Sequence, residues 1–320
     1  MTDQYLYSAS RVKALEGKGA HLSALLLDRM IEAPSEEAFR SVVEDSYLAP
    51  FVDLSPDNLD AAIVASILEA KILIESIAPD REPFAILFAR YDVENLGVAL
   101  KGLGAEHSEE HMLSLMSSLG NIAPSRLLII VQKDEKGVLP LELERGLAAA
   151  RRAETPSSID MALSLSYLDY FGRLLKSRER VWRDYHNLVR AYLVLCYELR
   201  RSALLDMIAV PPIASCEGQA IADFVSLLSS KRASEVSPAI LRAKEDGEYK
   251  SLEIFFANEL IEYLRRESQN ELFSAATLLG YLEARREDGR RIRGIAIKKL
   301  TGESPKETEA YFGNLLTYVR

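Results

Sequence analysis

A short signature occurs twice in this chain, 92 positions apart, and returns once more in altered form. The first copy is Arg90-Tyr-Asp92-Val-Glu-Asn95-Leu96 and the second is Arg183-Asp184-Tyr-His-Asn187-Leu188. The segment Arg286-Glu-Asp288-Gly-Arg-Arg291-Ile292 fits the same frame. Repetition at a fixed period constrains architecture before any single residue is interpreted, because each unit must bury its apolar face against a neighbour. The chain therefore reads as three related helical units.

On a helix, Asp92, Leu96, Ala99, Leu100 and Leu103 fall on one face, and Asp184, Leu188, Ala191, Tyr192 and Leu195 repeat that arrangement. Each apolar stripe starts with a carboxylate, which needs a hydrogen-bond donor at the edge of a core. Asn95 and Asn187, three residues on, lie within reach of that carboxylate, so the pair is expected to fix helix register or crossing geometry. The third copy keeps Asp288, Ile292, Ile295 and Ala296 in phase but has Arg291 in the Asn position and Lys299 in a Leu position. A catalytic carboxylate is needed once, so threefold repetition points to structure rather than to a proton relay or metal site.

Helix formers dominate, while the 16 Gly and 12 Pro of the 320 residues are sparse and Pro mostly punctuates segment ends, which favours an all-α fold. Helical periodicity recurs over 8–32, 57–78, 83–103, 108–119, 140–153, 157–177, 179–207, 217–230, 251–267, 270–287 and 289–300. Ser55-Pro56-Asp57 reads as a helix start and Lys101-Gly102-Leu103-Gly104 as a stop. With Val210-Pro211-Pro212 these divide the chain into units 1–105, 106–210 and 211–320. Leu127-Leu-Ile-Ile-Val131 is strand-like, but a lone strand has no partner, so a buried helical or irregular segment is expected. Arg242 to Lys250 reads as a solvated connection.

Net charge of −9 argues against nucleic acid as the principal ligand. Cys196 and Cys216 are too few for a disulfide scaffold or zinc knuckle and read as buried thiols in a reducing compartment. The N-terminus lacks the features of a secretory signal, and no window reaches about 18 uninterrupted apolar residues, so the chain is expected not to span a membrane.

The helices bearing Arg90 to Leu100, taken with Tyr7-Ser-Ala-Ser-Arg11-Val-Lys-Ala near the start, resemble the C subunit family of V-type (archaeal-type) ATP synthases, whose eukaryotic counterpart is subunit d. The resemblance spans essentially the whole chain, and its motifs are structural. It implies a funnel of three similar helical domains with pseudo-threefold symmetry. It also implies a non-catalytic central-rotor subunit that sits on the membrane rotor ring, receives the central shaft built from D and F type subunits, and transmits torque for proton or sodium transport. The place so implied is cytoplasmic and peripheral, on the cytoplasmic face of the membrane. No cofactor is implied. A repeat period alone equally permits an open solenoid, and a helical-repeat scaffold of an unrelated soluble complex remains an alternative reading of the residues.

Other constellations are weaker. His107-Ser-Glu-Glu110-His111 formally satisfies a zinc-hydrolase pattern, but Ser108 with Glu109 and Glu110 reads as a helix start, which places His107 outside the helix. The two rings are then not expected to converge as helical i and i+4 neighbours. Glu16-Gly-Lys18-Gly19 lacks the remaining residues of a phosphate loop. The basic run around α-helical positions 285–299 places Arg286, Arg290 and Arg293 on a face opposite the Asp288 stripe. These read as a solvated, internally paired face or as a contact with an acidic partner or lipid headgroups. Tyr167, Tyr170, Phe171, Tyr185, Tyr192 and Tyr197 read as core and helix-contact residues.

Overall fold

The computed structural model describes residues 4–52, 59–175, 179–208, 217–271, 273–306 and 308. Among these, every regular element is a helix: fourteen α-helices and one short 3-10 turn. The Ser55-Pro56-Asp57 start, the Val210-Pro211-Pro212 boundary and Cys216 lie outside the described residues. Packing divides the chain into two compact units, Met1–Pro79 with Glu253–Arg320, and Asp80–Leu252.

The first unit contains α1 (Leu6–Glu16), α2 (Ala24–Glu32), α3 (Glu36–Glu44), the 3-10 turn Ala49–Phe51 and α4 (Leu59–Ile77). The chain returns to it late with most of α13 (Lys250–Asn270) and with α14 (Ala275–Leu300). The apolar periodicity over 8–32 is interrupted. Gly19 takes a left-handed φ of 81° and Ser23 caps the next helix by accepting from the Leu26 amide, so α1 and α2 are separate. Conversely, the break expected at 288 is absent, and α14 runs on from Ala275 to Leu300. Gly289 does not break α14; it lets α4 come close, since a Cβ there would lie 2.6 Å from Ile63 Cγ2. α14 packs against α4, α1 and α3 and buries side chains around much of its circumference.

The second unit runs through α5 (Glu82–Gly104), α6 (Glu109–Leu115), α7 (Pro124–Lys133), α8 (Leu141–Ala150), α9 (Pro156–Leu174), α10 (Arg180–Ile208), α11 (Glu217–Ser226) and α12 (Ser230–Glu245). The strand-like stretch Leu127 to Val131 lies in α7, where Leu127, Leu128, Ile130 and Val131 are buried against α5. α8 and α9 approach closely because Gly146 leaves space for Ser166, and Thr155 opens α9 with a reciprocal cap to Ser158. Phe84, Phe171, Trp182 and Tyr185 form an edge-on aromatic core between α5, α9 and α10. Tyr192 meets Phe224, and Cys196 is buried. The expected connection over 242–250 is short: α12 continues to Glu245, and Gly247, with φ of 67°, makes the turn.

Candidate functional site

Asp92 and Asn95 sit mid-way along α5, both almost fully buried. They do not serve one another. The Asp92 carboxylate accepts from the backbone amides of Asn121, at 2.9 and 3.1 Å, and Ile122, at 3.0 Å. Asn95 donates through Nδ2 to the Ser117 carbonyl and accepts at Oδ1 from the Ser117 amide, both at 2.8 Å. Asn121 donates back to the Ala85 carbonyl of α5 at 2.7 Å. The signature therefore fastens the loop between α6 and α7 onto the long helix. Position 120 must be glycine for this, since a Cβ there would stand 2.1 Å from Asp92 Oδ1. Leu96 and Ala99 complete the buried stripe, whereas Leu103 emerges at the helix end.

Asp288 does the same work on α14. It is buried, and Oδ2 accepts from the Leu22 amide at 3.0 Å, in the loop between α1 and α2. His21 of that loop lies 3.7 Å from the same oxygen and tilts against the Tyr281 ring. Ile292 and Ile295 carry the stripe onward into the core. Beside Asp288, Arg285 is buried, sits 3.8 Å over the Tyr47 ring and donates to the Tyr281 hydroxyl at 3.1 Å. Burial, with the Asp288 charge adding to it, pushes the Tyr47 phenol well above its ordinary range, although Arg285 opposes the shift. Burial likewise raises Glu287, against the pull of Arg290 and Arg291.

The middle copy behaves differently. Asp184 is only partly buried and lies 3.8 Å from Arg180, while Asn187 is exposed. Leu188 is buried, and its neighbour His186, rather than Asn187, makes the inward polar contact, with Nε2 2.9 Å from the Leu168 carbonyl. The basic face of α14 is matched internally. Arg286 pairs with Glu283 at 2.6 Å, Arg290 stands 3.4 Å from both Glu253 and Glu287, and Arg293 pairs with Asp60 at 2.5 Å.

A family model for the ATP synthase (C/AC39) subunit matches residues 9–311. The chain belongs to this family. Its match takes in every signature residue and all but the start of α1. No curated protein is significantly similar to the chain.

Within this V-type ATP synthase subunit, His107 lies outside α6 as its neighbours suggest, yet the histidine pair comes together by another route. The His107 and His111 rings do meet, with centroids 4.9 Å apart, because the turn after α5 folds back through a bond from the His107 amide to the Gly102 carbonyl. Ser108 nonetheless caps α6 as read, accepting from the His111 amide. No group of three or more metal-ligating side chains with suitable placement occurs among the described residues. No helix among them is long and apolar enough to cross a membrane. The loop partners Ser117, Asn121 and Leu22 escaped the sequence reading because they contribute backbone groups, which carry no side-chain signature. Gly120 was the one available signal.

Proposed function

We propose that this chain is a non-catalytic central-rotor subunit of a V-type ATP synthase or ATPase, forming a socket between the central shaft and the membrane rotor ring. The observation that carries this reading is the family match over residues 9–311. In this role the three sequence units 1–105, 106–210 and 211–320 are arranged as a pseudo-threefold funnel. The work is mechanical: torque passes through many contacts about one axis, and proton or sodium selectivity resides in the ring. Its partners are the D and F type shaft subunits and the ring subunit, and its place is peripheral, on the cytoplasmic face of the membrane.

The local construction suits a torque-bearing part. Long helices that clamp neighbouring loops through buried carboxylates resist local opening, because displacing the loop leaves a buried charge and backbone donors unpaired. The test is purification of the tagged chain from detergent-solubilised membranes of its host. Recovery of shaft and ring subunits without added nucleotide is the expected result. Recovery of soluble proteins alone would overturn the assignment.

A further inference from the structure

The first helix is built inside out. α1 places its small residues Ser8, Ala9 and Val12 against the unit, where it packs on α14 and α4. Two larger apolar side chains point outward, Tyr7 66% and Leu6 44% exposed, while Leu15 is half-buried. A helix that only covers a core turns its larger apolar residues inward, so this face is poorly explained by the packing of its own unit.

The outward face has a shape as well as a composition. Ser10, Ala14 and Gly17 follow one another at helical spacing along its middle, and all three are exposed. Gly17 keeps right-handed helical angles, so the small stripe continues to the end of the helix. Leu6 lies on one side of this stripe, Tyr7 and Arg11 lie on the other, and Lys18 follows in the turn after α1. A narrow floor between larger walls admits a second helix at close interaxial distance, about 8 Å. Tyr and Arg are also the residue types that most often dominate binding energy at protein interfaces.

Charge selects the occupant. Lys13 is paired with Glu16 at 2.8 Å, whereas Arg11 and Lys18 have no carboxylate within ion-pairing distance among the described residues. The uncompensated charge of this face is positive, on a chain of net charge −9. A lipid surface calls for about 4–8 clustered Lys or Arg, more than these two. A second copy packed by a twofold axis would set the two cationic walls against each other.

We infer that the outward face of α1 docks an acidic helix of a neighbouring subunit in the ATP synthase. This rests on the function proposed above, and it adds the surface and the chemistry of the contact. Tyr7 and Leu6 bury their apolar surface against the partner, Ser10, Ala14 and Gly17 allow the approach, and Arg11 and Lys18 meet carboxylates that fix its register.

The experiment uses the complex isolated from a strain lacking this chain, to which purified chain is added back. Arg11→Glu is expected to weaken rebinding about tenfold, while Arg11→Lys rebinds nearly as wild type and Lys231→Glu, at a fully solvated site outside α1, is neutral. Circular dichroism checks that each variant is folded. In parallel, a benzophenone amino acid at position 7 is irradiated in the reassembled complex, and an adduct on an acidic helix of another subunit supports the inference. An adduct only within this chain or on a second copy, or unchanged rebinding of Arg11→Glu, overturns it while leaving the rotor assignment standing. Failure of the wild-type chain itself to rebind removes both.

Discussion

Asp92 in the second unit and Asp288 in the first perform the same local task with very different chain connections. Each is a buried carboxylate mid-way along a long helix, and each accepts backbone amides from the loop between two shorter helices. The Asp92 loop follows 29 residues later, whereas the Asp288 loop lies 266 residues earlier, at the start of the chain. Closing the longer connection costs about 2 kcal/mol more entropy if done unaided. In the first unit that cost is shared, because α1 and α3 also pack on α14. The difference teaches that Asp92 and Asp288 each make a receptor for a loop without specifying which loop arrives. The second clamp also has fewer fastenings: Asp92 holds two amides and is reinforced by Asn95 on Ser117, whereas Asp288 holds one, with Arg291 in the Asn position turned to Glu287.

Four perturbations test this comparison, in order of expected size. Asp92→Leu strips two buried amides of a charged acceptor, each worth about 1.5 kcal/mol or more, so denaturant unfolding should show a loss of about 3 kcal/mol or more. The Asn121 and Ile122 amides should exchange far faster, and nucleotide hydrolysis by a separately isolated catalytic head should not change. Asp288→Leu should cost about 2 kcal/mol, with faster exchange at Leu22. Equal losses at the two sites would end the claim that the second-unit clamp is the stronger.

A third test uses pH. Burial raises Glu287 above the ordinary glutamate value of 4.5, so the native state favours the neutral form. That contribution is present below the ordinary value and is lost as pH rises through the raised one. Thermal unfolding followed upward from pH 4.5 should show a fall that Glu287→Gln flattens. The smallest effect is at the middle copy: Asp184→Ala, which removes a partly exposed charge facing Arg180, should change stability by no more than about 0.5 kcal/mol. A loss at Asp184 as large as that at Asp92 would show that the middle copy is also a clamp.

Much of this was legible in the sequence because helical burial has a fixed period. Leu96, Leu188 and Ile292 are buried as their spacing requires, and Ser108 caps α6 as its neighbours suggest. The interruption at 17–23 was missed because apolar residues continue in helical phase on both sides of it. The break expected at 288 does not occur, because Gly289 stays helical and admits Ile63. The histidine rings meet outside the helix because the fold-back after Gly104 is set by a backbone bond, which no side-chain pattern records.

The Arg286, Arg290 and Arg293 face illustrates the same boundary. Charge spacing identified the arginines, but Glu253 and Asp60 reach them from elements 37 and 233 residues away or by a return of the chain that no local pattern records. By itself the sequence determined that this is an all-helical chain with three signature carboxylates at the heads of apolar stripes, since hydrophobic periodicity and side-chain chemistry are local properties. Only the tertiary structure decided what those carboxylates hold. Asp92 and Asp288 hold backbone amides brought in by folding, whereas Asp184 faces Arg180, and a backbone amide is the same for every residue that supplies one.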